Sequence, residues 1–581
     1  MYAARALLLL LMSCCAQVMS AQFTLDGKRP FYDNVERIFL LPVPEDYYGK
    51  PYTARFVRDD SVTQVVKDGR QIHDTMPFKV VKGDTTYTFA YRCNGIIRFG
   101  GVRFTFLPVM KLTGKIKNEY VVGKAFMEVP EDTITREWNA KLKWAGASTT
   151  ASWFRKHNFH VKFLDDSLEK MDVSFNGLRN DNHWRLDGGV IDFCRVRNKV
   201  SNGLWADMGT KPYYAEVQPN ARSYTRGFIV ELFVNERYMG FCDMAEYLDR
   251  KQMKLKKHDD ANNIDHGQLW KSKDWTYAVL MGTSPDGSYQ PKNYLSTPNP
   301  SSEMWDNYQV KYPDPEDYGN RTDWQTLYDA VDFVCHSSDD DFRQHIAEYL
   351  DLPVVIDYYI LMETILSTDN HGKNMFFAVY DKQVEGKVTL GVWDMDATAG
   401  QRWSDAYYHQ AFLGPEQDYA AFIARYEHGD YNLFKRLRDT DAEGFNLRVR
   451  QRYRDLRQTF LATESILKRF RTQLAEFKAC GADRRETAKW SRDSDVSGRE
   501  LNFDTELAYL ENWITRRMNY LDTRRFDIAS LPAGISSVIT DSESGDGYVY
   551  NLEGRRIGNL STLDLLPAGI YIVRGRVIRI R

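Results

Sequence analysis

The chain has 581 residues, 43% of them apolar and 27% charged, with a formal net charge of −3. That length predicts roughly two to four domains at ~100–200 residues each, and that balance excludes wholesale disorder. A near-neutral chain carries no global field that would recruit nucleic acid, so no nucleic-acid partner is expected.

The first residues read as a targeting segment. Arg5 gives a positive start, Ala6 to Met12 is apolar, and Val18 to Gln22 (V-M-S-A-Q) offers small residues for cleavage. A signal peptide is therefore expected over residues 1–21; its apolar run is too short to span a bilayer, which takes roughly 20 residues. A second reading ends L-M-S-C at Cys14 and resembles a lipoprotein box. No other stretch reads as a transmembrane span, so the mature chain is expected to be exported, to the periplasm, the cell surface or beyond. Cys93, Cys194, Cys242, Cys335 and Cys480 are scattered and form no CxxC, which argues against a zinc ribbon and leaves disulfides and thiols both open.

The texture then changes along the chain. Residues 22–133 alternate or run apolar between Gly, Asp and Lys turns and predict an N-terminal β-sandwich-like domain. From residue 134 to 526 strands and helices mix. The order is a strand to Trp144, a Gly/Ser turn, a second strand in F-R-K-H-N-F-H-V-K-F, and helical spacing from Asp192 to Met208. A hairpin follows from Gly227 to Asp243, then a basic helical stretch from Met244 to Lys257. Lys273 to Arg321 reads as a long irregular insertion, of a length that is uncommon without a function. Two helical stretches fill Trp324 to Thr364. The Arg-rich helical pattern from Asp430 to Phe526 reads as a solvated face. Residues 527–581 return to β and predict a small C-terminal module.

The chemistry concentrates between Thr368 and Gly400. Asp369 and Asn374 stand five positions apart in a polar segment, strands are predicted over Met375–Tyr380 and Lys387–Trp393, and Asp394 and Asp396 follow. Protein kinases share this grammar: a catalytic-loop Asp accepts the hydroxyl proton, an Asn five residues on holds a metal, and a later Asp holds the metal that bridges the nucleotide phosphates. In an extended segment Asp394 and Asp396 project to one side, because the period is two. His371 has no H-E-x-x-H or H-x-x-E-H partner and reads as a loop residue.

Several blocks together resemble the CotH family of spore-coat-type atypical protein kinases. They are the Gly/Ser turn with F-R-K-H-N-F-H-V-K-F, W-R-L-D through R-V-R-N-K (Trp184 to Lys199), N-E-R-Y-M-G-F-C-D-M-A-E (Asn235 to Glu246), and W-D-M-D-A-T-A-G. The resemblance implies an α+β, divergent kinase-like core that uses ATP with Mg²⁺ or Mn²⁺ and phosphorylates Ser or other hydroxyls of a secreted or surface protein. Carried over, Asp369 would be the catalytic base, and Asn374, Asp394 and Asp396 the metal ligands, with Asp394 the favoured direct one. Lys156 would reach nucleotide phosphate, and Gly146 and Ser148 would offer backbone N–H groups to it. Glu246 would sit where a kinase hinge meets adenine, and Arg197 would support the phosphate site. Ala145, His157 and Ala399 depart from the family's Arg, Lys and Phe. Two further readings stay open: a catalytically decayed surface or adhesion module, supported by Ala145, Ala399, the aromatic richness and the long insertion, and a metal-dependent phosphoester hydrolase that uses the Asp369, Asp394 and Asp396 carboxylates. The C-terminal β stretch resembles sorting modules of secreted Bacteroidetes proteins.

Overall fold

A computed structural model gives the protein's structure. It describes residues 23–146, 148–150, 154–274, 276–281, 295–315, 321–402, 411–412, 414–417, 432–491 and 501–531, with the strands 548–550, 556–559, 569–573 and 576–580. The expected signal peptide lies outside the described residues.

Two sheets open the chain. One has three strands (Phe23–Leu25, Tyr52–Arg58, Thr75–Phe78) and the other six, among them Ile38–Pro42, Tyr87–Cys93 and Ile96–Thr105. In Tyr52–Arg58, Tyr52, Ala54 and Phe56 turn inward while Thr53, Arg55 and Val57 face water, the alternation of a half-buried strand. Phe23, Phe56 and Met76 of the first sheet share one core with Phe39, Phe89 and Phe104 of the second.

A closed barrel follows. Its strands are β1 (Val109–Thr113), β2 (Val121–Glu128), β3 (Arg136–Ala145), β4 (Asn158–Leu164), β5 (His183–Asp187), β6 (Gly227–Val234) and β7 (Arg237–Ala245). The order β1-β2-β3-β4-β5-β7-β6 closes through a parallel pairing of β6 with β1. The barrel therefore begins at Val109 and spans residue 133, where the sequence reading divides the chain. Leu142, Val161, Phe163, Trp184, Leu186 and Met244 fill its interior. On the opposite face the register aligns Lys143, His160, Arg185, Ala245 and Gly227 in one row.

Helix α1 (Arg197–Met208) lies between β5 and β6. After β7 the expected helix from Met244 to Lys257 shrinks to one turn, α2 (Arg250–Met253), capped by Asp249 and stopped by Lys254 in the left-handed region. The first part of that stretch belongs to β7 instead, and the short polar remainder cannot repay helix nucleation. A five-stranded sheet comes next, built from β8 (Gln268–Ser272), β9 (Met304–Trp305), β10 (Tyr308–Tyr312), β11 (Met375–Val379) and β12 (Thr389–Val392) in the order β9-β10-β8-β11-β12. The Lys273 to Arg321 segment thus supplies two strands where an irregular insertion is expected, with residues 282–294 and 316–320 outside the described set. Tyr308 and Val310 drive this by facing the core.

Trp324 to Thr364 forms three helices rather than two: α3 (Gln325–His336), α4 (Asp339–Tyr349) and α5 (Leu352–Ile365). All of α5 except Pro353 is buried, as expected of a helix apolar on every side. Helices α6 (Leu433–Thr440), α7 (Phe445–Arg457), α8 (Thr463–Cys480) and α10 (Phe503–Tyr520) share its core, and α9 (Ala482–Trp490) lies against α8 and β7. The C-terminal strands described form a four-stranded antiparallel sheet. The whole is a mixed α+β protein. No helix among the described residues is long and apolar enough to cross a membrane, and none of the described cysteines forms a disulfide.

One buried ion pair ties the layers together. Arg485 of α9 meets Glu231 of β6 at 2.8 Å and 2.5 Å, and donates to the carbonyls of Gly83 in the N-terminal sheets and Cys480 at the end of α8. Gly83 is required at this junction, since a Cβ there would sit 2.2 Å from the Cys480 carbonyl. Removing one partner of a buried pair strands the other. Arg485→Met should therefore cost about 3–5 kcal/mol in urea unfolding. Adding Glu231→Gln, which keeps an acceptor for Tyr238, should recover much of the loss. A single variant as stable as wild type would show that this pair does not hold the layers.

Candidate functional site

The site is assembled where α5 ends. Leu366 takes a left-handed conformation (φ 49°), which turns the chain out of the helix into the loop 366–374. Asn370 then works as a buried clip. Its Nδ2 donates to the Trp393 carbonyl at 2.6 Å, its Oδ1 accepts from Ser367 Oγ at 2.6 Å, and its own carbonyl accepts from Tyr358 of α5 at 2.6 Å. The loop carrying Asp369 is thereby fastened to the strand end carrying Asp394. Asn374 and Asp394 both adopt positive φ (53° and 58°), a conformation that Asn and Asp tolerate better than most residues.

Asp369 and Asn374 meet directly: Asn374 Nδ2 donates to Asp369 Oδ2 at 3.0 Å, and Lys373 Nζ lies 3.2 Å from Asp369 Oδ1. Asp394 Oδ1 accepts from Arg185 Nη2 at 3.2 Å. Arg185 comes from barrel strand β5 and also lies 3.7 Å from Asp187. Its guanidinium stands over the Trp393 ring at 5.0 Å, with Lys271 of β8 over the same ring at 5.4 Å. Asn198 of α1 donates to Asp187 at 2.7 Å and accepts from the Met395 amide at 3.0 Å. Three parts of the fold therefore converge on Asp394: the barrel, α1 and the five-stranded sheet.

The electrostatics follow from crowding. Burial pushes the Asp369 carboxyl up to about 6, against the pull of Lys373. Burial also raises Asp394, but Arg185, Lys271 and Lys373 more than offset it and hold this carboxyl below the usual range. Asp396 is driven well above its usual value by burial and by Asp394, Asp187 and Asp369. Lys271 is pushed down to about 8 by burial, with Asp394 opposing. Of the two aspartates the sequence reading could not separate, Asp394 is the one held ionised.

The remaining expected residues are held by other partners. Lys156 precedes β4 and is 1% exposed; its Nζ donates to Glu486 of α9 at 2.5 Å and to the Phe241 carbonyl at 3.0 Å, inside a pair that includes Arg195. Arg197 is wholly buried and spans Asp192 (2.7 Å), Glu506 (2.5 Å) and the Thr398 carbonyl (2.9 Å), so it braces the D-M-D segment from behind. Glu246 is buried at the end of β7 and its carboxylate is taken by Arg226, Gln252 and the Arg179 amide. Gly146 has φ 98° and opens the turn that carries Ser148 in a short 3₁₀ segment. That turn is tied back by Thr149 to the Ala145 carbonyl and by His157, stacked 3.8 Å from Trp144. Ala145 is buried, and Ala399 takes a positive φ (50°) with its amide on the Ile365 carbonyl. His371 is buried against Phe434, and burial lowers it to about 3.

Arg185, Asn198, Lys271, Asn370 and Lys373 are the residues that the sequence reading missed. Arg185 and Asn198 fall within the W-R-L-D and R-V-R-N-K blocks, so the signal was present; nothing marked Lys271 or Asn370. A cleft of about 680 Å³ opens beside Asp394, lined by Arg185, Asp187, Asn198, Arg226, Glu246 and Trp393 among others. For a divalent cation the donors offered are oxygens, the second Asp394 oxygen and the Asn374 carbonyl, which suit a hard ion. Among the described residues no group of three or more His, Cys, Asp or Glu makes a complete protein cage. Mg²⁺ held by one or two side chains and substrate phosphates needs none.

The raised Asp369 value has a signed consequence. The folded state holds this proton more tightly than the unfolded chain, so the group's contribution is complete below about pH 4 and lost as pH rises through about 6. In metal-free protein Asp369→Asn should therefore stabilise by about 1–3 kcal/mol at pH 8 and by little at pH 4. Equal differences at both values, by urea unfolding, would refute the buried environment.

Comparison of the sequence with protein families matches one model, described as CotH kinase protein, over residues 142–521. No curated protein matches the chain. The match runs from β3 through α10 and takes in the loop of Asp369 and Asn374, the D-M-D segment and Arg185; the chain belongs to the CotH kinase protein family.

Proposed function

We propose that this protein is an ATP-dependent, metal-requiring protein kinase that acts after export on Ser or Thr hydroxyls of secreted or surface proteins. The observation that carries the reading is the meeting of Asp369, Asn374 and Asp394 with the cations Arg185, Lys271 and Lys373. Phosphoryl transfer asks mainly for positioning and for neutralising charge on the phosphates, and this is a set of groups suited to both.

In this reading Asp369 accepts the proton of the acceptor hydroxyl, with Asn374 and Lys373 fixing its orientation. A general base contributes typically 10²–10⁴-fold. Asn374 and Asp394 would hold a divalent cation, which would neutralise phosphate charge. Arg185 of barrel strand β5 and Lys271 of β8 bring positive charge to Asp394 from two sides, the charge that a strand lysine brings to the nucleotide in protein kinases. Lys156 is assigned a different duty, since its charge is already spent on Glu486. Support for export comes from the leader-like first residues.

Thermal unfolding with Mg²⁺ or Mn²⁺, with and without ATP, tests the reading. Native-selective binding at 100 times the dissociation constant should stabilise by about 2.7 kcal/mol. The shift should require metal, vanish in Asp394→Ala and weaken in Arg185→Ala, while Asp369→Asn should keep the shift and lose transfer by about 10²-fold or more. No shift at millimolar ATP would overturn the kinase reading in favour of a decayed scaffold.

A further inference from the structure

The basic run that follows the barrel, Arg250 to Lys257, has no part in the site above. It lines a separate cleft of about 670 Å³ with Arg179, Arg222 and Tyr380. The lining holds seven Arg or Lys and one carboxylate, Asp181, in a chain whose overall charge is −3. Four of the cations are matched: Arg179 to Asp249, Lys251 to Asp181, Lys256 to Asp381 and Lys257 to Asp260. Arg222, Arg250 and Lys254 have no carboxylate partner among the described residues. The polar lining adds the amide side chains of Asn180, Gln218 and Asn220, while that of Gln252 is taken by the Tyr224 carbonyl and Glu246. A concave surface with this excess of N–H donors and positive charge is complementary to oxyanions.

The position of the cleft gives it a register with the site. Asn374 immediately precedes β11 and Tyr380 immediately follows it, so the two ends lie about 20 Å apart at ~3.3 Å per residue. An extended peptide needs at least about six residues to cover that span, and more where it passes around β11, which is buried throughout.

We infer that this cleft docks an anionic segment of the acceptor protein, carboxylate-rich or already phosphorylated, about six residues from the hydroxyl that is modified. The inference rests on the kinase reading for the word acceptor; the anion site itself does not.

The test uses the whole mature chain with serine peptides carrying three Asp, three phosphoserines or three Ala about six residues to either side of the acceptor. The anionic peptides should show a KM at least tenfold below the Ala peptide, in one of the two placements. The double variant Arg222→Glu/Lys254→Glu should abolish that preference and leave the KM for ATP and the thermal midpoint unchanged. Added salt should shrink the preference. A stronger response to phosphoserine than to Asp would identify phosphate as the source of charge. Fluorescence anisotropy of the labelled peptides without nucleotide separates the two readings. Anionic-peptide binding that the double variant loses, with no transfer to any peptide, would keep the docking cleft and remove the kinase. Equal KM values for all peptides, a changed KM for ATP in the variant, or tighter cleft-dependent binding of an oligonucleotide than of any peptide would overturn the inference. Arg222→Gln/Lys254→Gln repeats the test should the charge reversal disturb folding.

Discussion

The site is organised by the cost of crowding carboxylates in a half-dry space. Asp396 feels the charges of Asp187, Asp369 and Asp394, and Asp369 that of Asp394, and unpaired charge in such a space is expensive. The protein meets the cost with cations from three directions: Arg185 from the barrel, Lys271 from the five-stranded sheet and Lys373 from the loop itself. The result is graded rather than uniform. Asp394, nearest to Arg185 and 32% exposed, is held ionised, while Asp396 is held towards its protonated form.

Around that centre, the polar residues act as fasteners. Asn370 joins the loop to the end of β12, Asn198 joins α1 to the D-M-D segment, and Arg197 closes the back of the segment on α10. Left-handed backbone at Leu366, Asn374, Asp394 and Ala399 is concentrated in the same stretch. Such conformations persist where the surroundings over-determine them, and they cluster at functional sites. The fasteners supply that over-determination.

The departures from the family pattern acquire physical readings. Ala145 lies buried on β3 opposite Asn158, and His157 stacks on Trp144 with its Nδ1 at the Thr149 carbonyl. The Gly/Ser turn is thus tied to its own strands where the family places cations. Positive charge beside Asp394 instead rests on Arg185 and Lys271. Lys156, the remaining lysine of that block, belongs with Glu486 and Arg195 to the buried link between the barrel and α9.

Local pattern was enough for much of this. Asp369, Asn374, Asp394 and the hairpin between them are contiguous in sequence, and strand alternation with a turn brings them together without help from distant residues. The core helix α5 was legible because most of its residues are apolar, with Asp357 and Glu363 the charged exceptions. What the sequence could not specify was closure and pairing over distance. The start of the barrel at Val109 depends on a parallel pairing with β6, more than a hundred residues on, and two strands inside an irregular-looking segment exist because β8 pairs with β10. Whether a lysine faces phosphate or a buried glutamate was likewise undetermined: Lys156 and Lys271 look alike in sequence, and only the packing of α9 against the barrel, and of β8 beside β11, decides which charge is spent and which is left for a ligand. Residue type and spacing set the chemistry available, because those are local properties. Desolvation and partnership are properties of the assembled fold, and they determine where that chemistry is used.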